Sequence, residues 1–381
     1  MEQTRRRSTT SNGQEDGTMR LFVRGGYFDY QMFFIVVTLV LFGIMMVYSA
    51  SSYRATMEGN PSYYYALRQA VLAGGGMISL VVISRINYKI FRKLAVLGMY
   101  VGLALSIIVL VIGTASHGST RWIPIFGIQF QPAEVIKMLI IIYMAHELVA
   151  YPEDLTYVGG LVRILWKPVL TIALIATQNL STAIVCFAIV IVMLYIASPS
   201  MKYVIIISLC AVAMAAVYVL LQSYRGDRFE AWLHPETSKN GFQVIQSLYA
   251  IGSGGLFGRG LGNSMQKMGF LPEPHNDMIF SIICEELGLF GAFVVIALFV
   301  LLLLRCRTIA NNAPDRFSGF VVSGVLTHIA VQAGVNVAVV TNLIPNTGVP
   351  LPFVSYGGTS IIFLLVEVGL VLAISRYARP E

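Results

Sequence analysis

The chain has 381 residues, 56% of them hydrophobic and 12% charged, where a soluble domain averages roughly 25% charged, which excludes an ordinary soluble enzyme. Lys and Arg outnumber Asp and Glu, 26 to 19, for a net charge of +7. The basic residues are dispersed rather than gathered on a face that could track a phosphate backbone, which argues against nucleic acid as a partner.

Residues 1–30 are polar, carry Arg5, Arg6, Arg7, Arg20 and Arg24, and read as a disordered tail. The apolar run from about Met32 to Tyr48 that follows lacks a small-residue cleavage site and leads into many further spans, so it reads as a first transmembrane helix. More apolar runs lie at about 66–84, 94–113, 133–151, 203–222, 278–304, 318–342 and 360–375. The stretch from Pro168 to Ala197 is either one long helix interrupted at Gln178-Asn179-Leu180-Ser181-Thr182 or two short spans meeting at a polar turn. With two spans, Arg85, Lys89, Arg92, Lys93, Arg163, Lys167, Lys202, Arg305, Arg307, Arg316, Arg376 and Arg379 share the side of the N-terminal arginines. Only Arg54, Arg68 and Arg121 then fall opposite among the short loops. The positive-inside rule favours that arrangement. The expected fold class is an all-α polytopic membrane protein of about ten transmembrane helices. A single transmembrane domain is expected over 31–376, with both termini cytoplasmic, a short tail at 377–381, and a large outer loop at 222–276 between the seventh and eighth helices. Cys186, Cys210, Cys284 and Cys306 lie in or beside apolar runs without CxxC spacing and read as packing residues.

Three outer segments, roughly 115–131, 223–276 and 343–359, hold the informative residues. In the long one, Phe242, Val244, Ile245, Leu248 and Ile251 suit a helix lying in the membrane interface. Six glycines in eleven positions follow, from Gly252 to Gly262. No strand precedes them and no Gly-Lys-Ser/Thr ends them, so neither a dinucleotide fingerprint nor a P-loop is present. They read as a close-packed connector or as backbone brought near a bulky ligand. Leu271-Pro272-Glu273-Pro274-His275-Asn276-Asp277 then runs into a helix near Met278. Asp277 could simply cap that helix. Alternatively Ser281, Glu285 and Gly288 continue its face inward as a stripe facing a cavity, where a carboxylate could act as a general base.

Two patterns are intramembrane. Pro132 opens a helix on which Glu134 and Lys137, at i and i+3, are near enough to pair as a structural polar clamp. His328, Gln332 and Asn336 recur every four residues, a stripe that could bind another helix or line a cavity. The last outer segment, Pro345 to Ser360, is stiffened by prolines, and Gly357-Gly358 allows its backbone to turn back into the membrane, with Ser355 and Tyr356 facing a cavity.

The chain resembles the FtsW/RodA family of bacterial cell-wall polymerases. The resemblance rests on Arg121-Trp122-Ile123, on Gln131-Pro132-Ala133-Glu134 with Lys137, on Gly241 to Ser247, which includes Gln246 and Ser247, on Leu271 to Asp277, on Glu285-Glu286-Leu287-Gly288, and on Pro350 to Gly358. Gly260 to Lys267 looks more like the division branch than the elongation branch. This resemblance implies a fold of ten helices and a glycosyltransferase polymerising lipid II outside the cytoplasmic membrane, beside a class B penicillin-binding protein and other division proteins. It also implies that the essential acid is Asp277. Gln178 and Asn179 stand where the family usually has Pro and Asp.

On that resemblance Asp277 would take the proton of an acceptor GlcNAc 4-hydroxyl as its oxygen attacks C1 of the donor MurNAc, with undecaprenyl pyrophosphate leaving. Glu273 and His275 stand beside that acid, while Arg228, Arg259 and Lys267 are candidates to meet the departing pyrophosphate, with Mg²⁺ or Mn²⁺ as a further option. A flippase or polyprenyl-lipid carrier would also need a polar cavity open to the membrane, although no inverted repeat is evident. A division scaffold would leave the outer Asp free to vary.

Overall fold

The structure, a computed structural model, describes residues 27–116, 119–125, 128–220, 223–238 and 241–378. Most of the N-terminal tail and the last three residues therefore lie outside the described residues. The helices are α1 (Tyr30–Met57), α2 (Tyr64–Ile83), α3 (Lys89–Ile112), α4 (Pro132–Ala150), α5 (Val158–Gln178), α6 (Leu180–Ala197), α7 (Met201–Leu220), α8 (Ser223–Leu233), α9 (Phe242–Gly254), α10 (Ile279–Asn311), α11 (Arg316–Val340) and α12 (Ser360–Ser375). Among the described residues, seven helices are long and apolar enough to cross a membrane: α1, α2, α3, α5, α6, α10 and α11. The 19-residue α4 adds Glu134, Lys137 and Glu147, which lower its hydropathy and which it buries among its neighbours. Apolar helical stretches of α7, Met201–Met214, and of α12 complete a bundle of antiparallel crossings. The chain is a multi-pass membrane protein.

Local chemistry explains the boundaries. Asp29 caps α1 by accepting from Met32 N at 2.8 Å, Pro132 opens α4, and Asp315 with Ser318 forms a capping box on α11. Between α5 and α6 the chain breaks at one extended residue, Asn179, whose side chain accepts from Thr182 N at 3.2 Å. The stretch is thus two spans. The first begins at Val158 rather than at Pro168, which sits inside α5. Membrane helices accommodate such prolines because packed neighbours satisfy the freed backbone groups.

The segment expected outside at roughly 115–131, for which no strands were foreseen, carries an antiparallel three-stranded sheet: β1 (Thr114–Ser116), β2 (Ser119–Ile125) and β3 (Ile128–Phe130). Its β-branched and aromatic residues suit a pleated surface, and pairing satisfies backbone groups that a loop at a membrane boundary would leave open. At the opposite end, Arg305 Nη2 meets Asp29 Oδ2 at 2.7 Å, and the Arg376 guanidinium lies 5.1 Å from the Phe28 ring. The beginning of α1 and the end of α12 therefore share one end of the bundle, while the sheet, α8, α9 and the 343–359 loop occupy the other.

Candidate active site

The candidate base stands where the Pro-rich 271–277 segment enters α10. Asp277 is half-buried. The N-cap of α10 is Met278, which makes no side-chain cap bond. Oδ2 of Asp277 lies 3.7 Å from the point a Cβ on Gly348 would occupy. Gly348 has a φ of +66°, a left-handed conformation that glycine adopts without strain, and the carboxylate faces its bare backbone.

The loop carrying Gly348 turns back into the protein. Leu351, Phe353, Val354 and Ser355 are buried, and surrounding side chains satisfy its non-helical carbonyls, as apolar surroundings require. Gln332 Nε2 donates to Pro350 O at 3.1 Å, Asn336 Nδ2 to Val349 O at 2.8 Å, Gln69 Nε2 to Ser355 O at 3.1 Å, and Ser181 Oγ to Thr347 O at 2.7 Å. Arg228, on α8, donates to Asn346 O at 3.2 Å. Gln332 and Asn336 of the α11 stripe thus hold loop backbone, and His328 reaches Glu367 of α12. Ser355 works within the same turn, its hydroxyl accepting from Leu351 N at 2.8 Å.

His275, 2% exposed, forms an aromatic cluster with Tyr65 and Tyr356 at centroid distances of 4.8 and 5.6 Å. Burial pushes its pKa down to about 4, against the smaller upward pull of Glu273, so the ring is neutral at pH 7. Tyr356 N donates to His275 O at 2.9 Å, a second tie between the two segments. Glu273 pairs with Arg54 of α1 at 2.7 Å and accepts from the Asn276 amide. Arg54 also meets Glu58 at 2.9 Å. Hydrogen bonds from Tyr65 and Arg54 hold the Glu58 carboxyl below its usual range.

The other expected residues sit apart from this cleft. Lys267, expected to meet a pyrophosphate, is buried and bonded to Glu286 Oε1 at 2.7 Å and Ser49 Oγ at 2.9 Å. Glu285, expected to face a cavity, is buried and accepts from Ser264 Oγ at 2.5 Å and Met265 N at 2.9 Å. Ser281 is buried as well and donates to Met278 O at 2.6 Å. The expected cavity-facing stripe of α10 is therefore packed against protein, because these two carboxylates anchor the Gly-rich connector. Arg259 is partly exposed and lies 3.5 Å from Glu285. Ser247 of α9 is buried and donates to Val340 O at 2.9 Å, and Gln246 beside it is half-buried.

Deeper in the bundle, Lys137 Nζ lies 3.0 Å from Glu134 Oε1 and 3.0 Å from Gln332 Oε1. His328 bridges Gln332 Oε1 at 2.9 Å and Glu367 Oε2 at 2.7 Å. Glu367 and Arg54 escaped the sequence reading. A carboxylate inside the otherwise apolar run of α12 was an available signal for the first, whereas Arg54 looked like any outer basic residue. Among the described residues no three His, Cys, Asp or Glu side chains come together to hold a metal.

Comparison with known proteins gives this geometry its family. The sequence profile described as "cell cycle protein", covering FtsW, RodA and SpoVE, matches residues 30–380. The chain belongs to the FtsW/RodA/SpoVE family. It is 38% identical to stage V sporulation protein E of Bacillus subtilis over 357 residues, covering 92% of this chain and 98% of that protein. It is also 38% identical over 354 residues to a probable peptidoglycan glycosyltransferase FtsW of Geobacter sulfurreducens, covering 91% of this chain and 95% of that one. Among solved structures, a member in a peptidoglycan synthase complex that coordinates polymerization and crosslinking matches with a TM-score of 0.76 at 25% identity, over 92% of this chain and 98% of that chain. Thermus thermophilus rod shape determining protein RodA matches at 0.67 and 25% identity, over 93% and 98%. The FtsW/RodA/SpoVE fold thus accounts for nearly the whole chain.

Proposed function

We propose that this FtsW/RodA/SpoVE member is a peptidoglycan glycosyltransferase of the division branch, polymerising lipid II into β-1,4 glycan strands at the outer face of the cytoplasmic membrane. Its family and the activity given to its relatives support the reaction class. The observation that carries the site is the Asp277 carboxylate, half-buried at the mouth of α10 and facing the bare backbone of Gly348. Asp277 accepts the proton of the acceptor GlcNAc 4-hydroxyl while that oxygen forms a bond to C1 of the donor MurNAc. The bond from C1 to the pyrophosphate oxygen breaks, undecaprenyl pyrophosphate carries away its electron pair, and an α-linked donor yields a β linkage by inversion. A carboxylate is a weak base near pH 7, so holding the two sugars in line supplies much of the acceleration.

Lys267 and Arg259 each meet a buried carboxylate, Glu286 and Glu285, so the candidate cation for the leaving group is Arg228, which bonds the Gly348 loop at Asn346 O. Glu273 and Tyr356 stand beside the acid in this reading, with His275 and Ser355 buried behind them, while Gln246 and Ser247 lie apart on α9. The Glu134–Lys137 pair serves the fold beneath the site, offsetting the cost of two buried charges. Both termini lie on the cytoplasmic side, which the positive-inside rule supports. A class B penicillin-binding protein cross-links the product, a pairing supported by the relative's synthase complex.

Purified full-length protein, assayed for glycan-strand synthesis from lipid II beside such a partner, tests the base. Asp277→Asn is expected to lower the rate at least about a hundredfold, within the range of general-base contributions. Undiminished synthesis would remove Asp277 from the mechanism, and an equal loss from Glu273→Gln would move the role to that carboxylate.

A further inference from the structure

Asn336, near the end of α11, is fully buried. Its side-chain nitrogen donates to two backbone carbonyls, Asp277 O and Val349 O, each at 2.8 Å. Because both neighbours are acceptors, the amide must present its NH₂ to them, and one nitrogen uses both hydrogens. The two carbonyls belong to the segments whose spacing defines the cleft: Asp277 itself, and the residue following Gly348. At the other end of the loop the segments meet through Tyr356 N and His275 O. Asn336 is thus the side-chain staple on the side where the carboxylate faces Gly348.

We propose that Asn336 is a positioning residue for the glycosyl transfer, setting the gap between Asp277 and Gly348 in which the acceptor hydroxyl meets the carboxylate. The inference rests on Asp277 being the base. Only a short primary amide joins these carbonyls: Asp would set acceptors against acceptors, and an apolar residue would leave both unpaired.

The test uses full-length Asn336→Asp and Asp277→Asn proteins in the strand-synthesis assay over a range of lipid II concentrations, with amide hydrogen exchange on the same samples. Asn336→Asp is expected to lower kcat about tenfold or more while KM stays within about threefold, the pattern of a misplaced reacting group. Exchange should accelerate in 271–278 and 343–350 and not elsewhere. Lowering the pH protonates the new carboxyl and restores one donor, so the variant's rate relative to wild type should rise as pH falls. An unchanged kcat beside an inactive Asp277→Asn would leave the base in place and overturn the positioning role. An active Asp277→Asn would overturn the base, and the inference with it. Exchange raised throughout the chain would assign Asn336 to the fold as a whole and overturn the proposal. If Asn336→Asp fails to accumulate, Asn336→Ser, with a single shorter donor, should show the same kcat loss in milder form, and a wild-type rate there would overturn the proposal.

Discussion

Two glycine-containing segments at the same end of the bundle look alike on paper and do opposite things. Between Gly252 and Gly262 glycine brings backbones together: a Cβ on Gly258 would lie 2.1 Å from Glu286 O, and one on Gly288 would lie 2.4 Å from Gly258 N. Arg259 N and Gly260 N donate to Glu285 O and Glu286 O at 3.0 and 2.9 Å, and Leu289 N returns a bond to Gly255 O at 2.9 Å. The connector is bonded like a strand to the kink of α10, where Gly288 departs from helical geometry. In the 343–359 loop, a Cβ on Gly348 would meet only the Asp277 carboxylate, at an ordinary contact distance of 3.7 Å, and the loop hangs from side chains of α2, α6, α8 and α11. Glycine content alone therefore does not report flexibility. What matters is whether the absent Cβ would run into another backbone or only touch a side chain at ordinary contact distance.

Substitutions can break that contrast. Lys267→Met strands the buried Glu286 carboxylate and should cost about 4 kcal/mol, seen as a lower melting temperature in detergent, with partial recovery in Lys267→Met/Glu286→Gln. An unchanged melting temperature with a raised KM for lipid II would instead make Lys267 a substrate contact. Gly258→Ala drives a methyl into the Glu286 carbonyl and should cost about 3 kcal/mol while leaving the KM of the surviving folded protein intact.

A pH titration probes the tie between the two segments at His275. The unfolded chain binds a proton at this residue below about pH 6.5, while the folded chain resists until about pH 4. Stability from this group therefore falls as pH drops through that window, by up to about 3 kcal/mol, and is flat above it. Melting temperatures at pH 7.5 and 5 should differ less in His275→Gln than in wild type, and equal differences would remove His275 as the cause. The smallest stability change is expected for Gly348→Ala, about 1 kcal/mol for a left-handed alanine. Its strand synthesis should nonetheless fall about tenfold, because the methyl enters the space before Asp277. Normal synthesis in Gly348→Ala would show that this space is not used.

Much of the architecture was legible in the residues themselves. Spans follow from apolar runs of a length set by the bilayer, and the break at Asn179 follows from a polar turn and from where the positive charges fall. Asp277 stood out because charge is scarce and because it opens a helix. The sheet was missed since two of its strands have only three residues and the seven-residue β2, Ser119-Thr120-Arg121-Trp122-Ile123-Pro124-Ile125, contains a proline and no clean alternation, and the long α5 was missed since Pro168 is tolerated once packed.

The sequence by itself determined that this is a multi-pass membrane protein of a recognisable family with an acid at a helix mouth, because hydropathy and short motifs are local properties of the chain. Only the tertiary structure decided which polar groups meet: Lys267 with Glu286, Arg54 with Glu273, His328 with Glu367, and Asn336 with the carbonyls of Asp277 and Val349. The physical reason is that a buried charge or amide must find a partner. Apart from pairs on one helix, that partner comes from another segment of the packed bundle, which no spacing along the chain records.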